Sequence, residues 1–230
     1  MAPDVRSPGR RVALALAAAA LVASCGSDGG EGGAVAPAGS GGSEEVTCPP
    51  AEGTDEATLT FAEPPPPCLE PGATYTATIT TNIGELTIDL DAEAAPETVN
   101  SFVFLARNAY FDGTICHRVI QDFVVQCGDP TGTGTGGPGY TIPDEFPEAG
   151  AYRVGSVAMA KRTEPNTGGS QFFIISGEQG AALPPLYSLF GQVASEDLGV
   201  VEDANALGST DGAGVPSEEI RIEDVEITQT

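Results

Sequence analysis

Apolar and polar positions alternate strictly from Tyr75. In "YTATITTNIGELTIDLD", Tyr75, Ala77 and Ile79 alternate with threonines, and Leu86, Ile88 and Leu90 resume the pattern after a Thr-Asn-Ile-Gly turn. A period of two interrupted by a turn predicts a β-hairpin with one buried face. The period then lengthens. In "APETVNSFVFLARNAYFDG", Val99, Phe102, Val103 and Ala106 share one helical face, Pro96 suits a first turn, and Asp112-Gly113 closes the segment. This predicts an amphipathic helix. Short strand-like runs follow at "ICHRVI", "FVVQC", "GSVAMA", "QFFIIS" and "SLFGQV". "EDLGVVEDANALG" spaces Leu198, Val201 and Leu207 helically and stops at Gly208, and "EEIRIEDVEIT" ends the chain as a strand. Many short strands, Gly-rich loops and two helices predict a mainly β fold: a closed antiparallel barrel capped by two helices.

Before residue 73 the pattern changes character. Arg6, Arg10 and Arg11 precede an apolar run from Val12 to Val22, which is shorter than the ~20 residues that span a membrane. "VASC" then places small residues directly before Cys25. The arrangement resembles a bacterial lipoprotein signal, so residues 1–24 are expected to be a signal peptide and Cys25 the lipidated first residue of the mature chain. An ordinary secretory signal cut near Ser24, leaving Cys25 a spare thiol, fits the flanking "GSDGGEGG" less well. Residues 25–72 are rich in Gly, Pro, Ser, Ala and acid, with no Lys or Arg, and read as a flexible tether to a domain over 73–230. Within the tether, the piece from Cys48 to Cys68 carries "ATLTF" and "EPPPPC". It is stiffer, and apolar enough to pack on the domain.

Charge narrows the functional classes. A formal net charge of −24 excludes a nucleic-acid surface, which needs clustered Lys and Arg, and disfavours anionic lipid headgroups. Against this background "ICHRVIQDFVVQCGD" stands out, because it holds the only His in the chain and an Arg among Val, Ile and Phe. The Gly-rich loop Asp129–Tyr140 has no helix or Lys after it, so it is a surface loop rather than a phosphate cradle. A metal site from Cys116, His117 and Cys127 is disfavoured, since adjacent strand residues face opposite sides. A structural His117 bonded to backbone is the better reading, beside a pair of cysteines from an exported chain.

Taken together, "CHRVIQDFVVQCGDPTGTGTGGPGY", "GSVAMA", "PNTGGSQFFI" and "LYSLFGQV" resemble the cyclophilins, the peptidyl-prolyl isomerase family, from Thr74 to the end of the chain. The resemblance implies an eight-stranded barrel capped by two helices, with proline-containing polypeptides as substrates. It implies a monomer that uses no cofactor and no metal. Matched motif by motif, Arg118, Phe123 and Gln126 take the catalytic places. Val124, Ala160, Gln171, Phe173, Leu183 and Tyr187 take the substrate-binding ones, and His117 matches a structural His. The chain departs from the family at Cys116, Cys127 and Tyr187, and in a longer loop that carries Lys161 and Arg162 beside the cleft.

Rotation about an X-Pro bond needs an apolar slot for the ring and a donor for the twisted amide, which explains an Arg among apolar residues. A second reading is a module that captures Pro-containing segments as a chaperone with little turnover, and a third, weaker one is a redox or metal protein. The leading expectation is an isomerase that assists exported chains, lipid-anchored to the outer face of the bacterial cytoplasmic membrane. With Cys25 lipidated, four cysteines remain, and disulfides persist in exported chains. The connectivity with only local pairs joins Cys48 to Cys68 and Cys116 to Cys127. A two-residue turn at Gln121-Asp122 sets Cys116 opposite Cys127. The family mapping instead puts Arg118 and Gln126 on one cleft, so that the sulfurs lean to different faces unless a bulge intervenes.

Overall fold

The computed structural model describes residues 46–230; the expectations for residues 1–24 and for lipidated Cys25 lie outside the described residues. The hairpin forms as its alternation predicts. β1 (Tyr75–Thr81) buries every second residue and pairs antiparallel with β2 (Gly84–Leu90), from Tyr75 opposite Leu90 to Thr81 opposite Gly84. Thr81 ties the turn: its Oγ1 donates to the Gly84 carbonyl (2.6 Å) and accepts from the Ile83 N–H (3.2 Å).

The remaining strands are β3 (Arg118–Ile120), β4 (Val124–Cys127), β5 (Ser156–Met159), β6 (Phe172–Ile175), β7 (Leu189–Val193) and β8 (Ile222–Gln229). All eight lie in one curled sheet of order β3-β4-β6-β5-β7-β2-β1-β8, and every pairing is antiparallel. Where a closed barrel was expected, the two edge strands share no ladder. They are linked through the bridge Ile115–Arg221 and through the flanking bonds from Cys116 N–H to the Ile220 carbonyl (2.9 Å) and from Ile222 N–H to the Thr114 carbonyl (2.9 Å).

Among the described residues, three α-helices accompany the sheet. α1 (Pro96–Arg107) and α3 (Leu198–Ala206) are the two read from periodicity, while α2 (Glu178–Ala181) is a single turn too short to show a period. Pro96 sits in the first turn of α1, and the Glu145 carboxylate accepts the orphan N–H groups of Glu97 (3.0 Å) and Thr98 (2.8 Å). The core centres on Phe102, Phe111, Phe172 and Phe190, with ring centroids 5.1 to 5.7 Å apart.

Of the tether read over residues 25–72, the structure describes residues 46–72, which include the Cys48–Cys68 piece. Residues 46–72 pack on the domain, because α1 is apolar beyond the one face that its periodicity marked. Phe104 on that helix is also buried, and Phe61 covers it in an edge-on contact at 4.7 Å. Backbone bonds bind the segment down: Thr54 N–H to the Arg107 carbonyl (2.9 Å), Thr58 N–H to the Asn108 carbonyl (3.0 Å) and Phe61 N–H to the Pro138 carbonyl (2.8 Å). The first two satisfy carbonyls at the end of α1 that the helix cannot pair itself. Asn100 on α1 accepts from Cys68 N–H (2.7 Å) and donates to the Pro66 carbonyl (3.0 Å), and a Cys48–Cys68 disulfide staples the arm.

Cys116 and Cys127 form the second disulfide, although the register of the hairpin does not set them opposite. Arg118 faces Gln126, and Ile120 faces Val124. The bridge becomes possible because "ICHRVI" is not one strand: Cys116 and His117 fall outside β3, and both cysteines are buried in the core. On the other strand Gly128 turns at φ +81°, where a Cβ would stand 2.3 Å from the Ser170 carbonyl oxygen. Glycine is the residue that this bend accepts.

If the arm is an integral part of the domain, Phe61→Ala uncovers Phe104 and destabilises the protein by about 2 kcal/mol, the scale of burying one large side chain. The shift in the urea unfolding midpoint measures this. An unchanged midpoint would show that the arm is ornamental.

Candidate active site

Strand alternation divides β3, β4, β5 and β6 between two environments. Val119, Val125, Cys127, Val157, Phe172 and Ile174 enter the main core. Arg118, Val124, Gln126, Ala158, Phe173 and Ile175 therefore share the opposite face. An outward face of an antiparallel sheet is ordinarily polar. Here it carries a second buried cluster of Val124, Tyr152, Ala158, Phe173 and Ile175, against which Phe123, Ala160, Leu183 and Tyr187 are half-buried. Six of the residues singled out in the sequence thus meet: Phe123, Val124, Ala160, Phe173, Leu183 and Tyr187. The Phe173 and Tyr187 rings stand edge to face at 5.2 Å.

A polar row borders this apolar floor. Arg118, Gln126, Phe173 and Ala158 are successive cross-strand partners from β3 to β5. Arg118 Nη1 donates to Gln126 Oε1 (3.4 Å), Gln126 Nε2 donates to Gln171 Oε1 (2.9 Å), and Gln171 Nε2 donates to the Gly136 carbonyl (2.9 Å). The Arg118 guanidinium carbon lies 5.7 Å from the Phe123 ring centroid, within cation–π range. Gly214 lies against the stem of Arg118, where a Cβ would meet Cγ at 2.8 Å, and its carbonyl accepts from Val119 N–H (2.7 Å). Ala160 gives its N–H to the Gln171 carbonyl (2.8 Å), and its own carbonyl has no partner among the described residues.

Two supports were not visible in the sequence. Asp122 holds the turn that aims Phe123: it adopts φ +58°, and its carboxylate accepts from Glu178 N–H (2.8 Å) and Gln179 Nε2 (3.0 Å). Its own N–H is taken by Asn205 Oδ1 (2.8 Å), which ties the turn to α3. Tyr152 fixes the far wall, its hydroxyl donating to the Tyr187 carbonyl (2.6 Å) and accepting from the Tyr187 N–H (3.1 Å). Burial raises the Tyr152 pKa, against the lowering effect of that first bond. The hydroxyl therefore stays protonated and able to donate. An Asp in a turn was the only available signal for the first support; Tyr152, in an irregular loop, had none.

The expected backbone bond of His117 is not found: both ring nitrogens are buried without a partner among the described residues. Burial lowers its pKa, Asp129 pulls the other way, and the neighbouring Arg118 charge lowers it further. Asp129 itself is held below the usual carboxylate range. Burial works to raise it, but bonds from Thr131 Oγ1 and from the Thr131, Gly136 and Gly134 N–H groups outweigh that. The same bonds shape the Gly-rich loop 131–136 into one wall of a groove of about 740 Å³.

The site is thus an apolar slot on the outer face of a curled eight-stranded sheet, edged by an Arg-Gln-Gln row. The comparisons specify the family. Residues 76–227 match the family model described as "Cyclophilin type peptidyl-prolyl cis-trans isomerase/CLD", and the chain belongs to this family. Peptidyl-prolyl cis-trans isomerase A of Mycobacterium tuberculosis is 40% identical over 174 residues, which cover 69% of this chain and 94% of that protein. The probable isomerase A of Mycobacterium leprae is 40% identical over 169 residues, covering 66% and 92% respectively. A crystal structure of a Cryptosporidium parvum cyclophilin-type isomerase superposes with a TM-score of 0.62 at 32% identity, covering 68% of this chain and 99% of that one. A second structure of that protein was determined in the presence of the dipeptide Ala-Pro, with a TM-score of 0.61.

The His117 environment makes stability depend on pH in a definite sense. The folded chain disfavours the charged ring, so below its unfolded value of 6.5 the unfolded chain binds a proton that the folded chain does not. Stability is complete above that value and declines as the pH falls below it. His117→Gln should flatten this decline in urea midpoints measured between about pH 7.5 and about pH 5.5. A decline of the same slope in the variant would reassign the proton to another group.

Proposed function

We propose that the chain isomerises X-Pro bonds of exported polypeptides without covalent chemistry, and that Arg118 is its catalytic residue. The observation that carries this reading is the placement of one guanidinium and two glutamines along the edge of an apolar slot sized by Phe123, Val124, Phe173, Leu183 and Tyr187. The barrier to rotation is ~20 kcal/mol because the C–N bond is partly double. In the twisted state conjugation is lost, the nitrogen becomes pyramidal, and its lone pair becomes a hydrogen-bond acceptor. Arg118 donates to that nitrogen, an interaction that the planar ground state cannot match, and can also hold a neighbouring carbonyl. Gln126 orients the guanidinium without neutralising it, so the charge stays available. The carbonyl of Ala160 and the amide of Gln126 align the substrate backbone, while the slot holds the ring.

Export and anchoring complete the proposal. Arg6, Arg10, Arg11 and the run Val12–Val22 supply a signal, with Cys25 lipidated and the domain held at the outer face of the bacterial cytoplasmic membrane. Two disulfides among the described residues suit an oxidising compartment. The enzyme acts as a monomer in this reading. Intact-mass and peptide analysis of membrane-extracted protein should find a mature N-terminus at a diacylated Cys25, and Cys25→Ala should release the protein into the soluble fraction. An N-terminus elsewhere contradicts the anchor.

Arg118→Ala should fold normally and lose ~10²–10³ in kcat/KM on a prolyl peptide, the usual effect of removing one transition-state donor. Phe123→Ala should act chiefly through KM. Near-normal turnover by folded Arg118→Ala would remove the mechanism. A wild-type chain that binds the peptide but does not turn it over would instead be a proline-segment chaperone.

A further inference from the structure

We infer that the substrate preference of this isomerase is set by charge, and that the groove beyond Gln126 and Gln171 takes an acidic side chain of the bound polypeptide, near its proline. The inference rests on the isomerase reading and specifies its substrates. The observation behind it is an inversion of charge. Of the chain's 33 acidic and 9 basic residues, residues 46–230 hold 28 acidic and six basic. Yet the groove of about 740 Å³ contiguous with the proline slot is lined by no Asp or Glu and by both Lys161 and Arg162. Gln126, Ala160 and Gln171 line it as well, so it continues the path of a peptide lying over the catalytic row.

The two cations have different roles. Lys161 is committed to structure: it pairs with Asp144 at 3.4 Å, donates to the Glu164 carbonyl at 3.2 Å, and lies 5.6 Å from the Phe146 ring. Asp144 offsets its charge. Arg162 is exposed, and its guanidinium has no hydrogen-bond or ion-pair partner among the described residues; only its backbone N–H is bonded, to Thr167 Oγ1 (3.0 Å). The loop is thereby braced while the Arg162 head is left free at the rim. Of the acidic groups on or bonded to this loop, Asp144 is already paired with Lys161, and Glu164 is outside the lining. Asp129 lies buried behind the groove wall, its carboxylate taken up by Thr131, Gly134 and Gly136; exposed carboxylates elsewhere are screened over ~8 Å at physiological salt. Local attraction at Arg162 therefore decides the preference inside the groove, while net repulsion disfavours acidic residues elsewhere along the peptide.

A peptide series that moves Glu or Gln through the positions flanking a single Ala-Pro tests this. At the position reaching the groove, kcat/KM for the Glu peptide should exceed that for its Gln twin by ~2–5-fold at low ionic strength, the range of an exposed ion pair. At other positions the ratio should be one or less. The preference should disappear near 1 M salt and in Arg162→Ala, persist in Arg162→Lys and reverse in Arg162→Glu. Titration of the same peptides gives the ratio as Kd, so charge preference is read even if turnover is absent. Missing turnover would overturn the isomerase reading alone. No position favouring Glu in either measurement, or a preference that survives Arg162→Ala, would overturn the inference.

Discussion

The pairing of Arg118 with Gln126 depends on the register of one short hairpin. Three residues, Gln121 to Phe123, make its turn, with Asp122 in the left-handed region. A slip of one residue would exchange the faces of β4, turning Val125 out and Gln126 into the core. Such a slip is opposed from three sides. The Asp122 carboxylate is bonded to α2, its N–H is bonded to Asn205 on α3, and the Cys116–Cys127 disulfide fixes the open end of the hairpin. Gln171 can then reach Gln126 only because β6 pairs with β4 in a matching register.

Around that hairpin the protein maintains an unusual electrostatic pocket within an acidic molecule. A guanidinium between apolar side chains would ordinarily be expected to have a carboxylate partner. Arg118 is instead bonded to a neutral amide, flanked by an aromatic face, and adjacent to an imidazole that burial keeps uncharged. The charge is thus left without a carboxylate partner among the described residues. The nearest buried carboxylate, Asp129, is bonded to the backbone and hydroxyl groups of its own loop.

The long-range order of strands and helices was legible because alternation and helical period are strong signals over seven or more residues. β1, β2, α1 and α3 follow from them. The cluster at Phe123, Val124, Phe173, Leu183 and Tyr187 was legible only through several motifs read together, since no single one of these residues differs from core packing. What escaped has local causes. Cys116 and His117 look like strand but lie outside it, as Gly128 on the partner strand bends. How residues 46–72 pack was not legible, because their order comes from α1, through Asn100, Arg107 and Phe104, rather than from any period of their own. The Ile115–Arg221 bridge beside the two edge strands is a tertiary outcome that strand patterns do not encode.

The staple on the arm has a consequence for survival in a protease-rich setting. Most residues between Cys48 and Cys68 are exposed, including Leu59 at 45%. Loop segments of this kind are where nicking concentrates. A cut anywhere in that span leaves both new ends covalently joined through Cys48–Cys68. The clipped chain keeps its length of attachment and stays one molecule, and the break shows only after reduction.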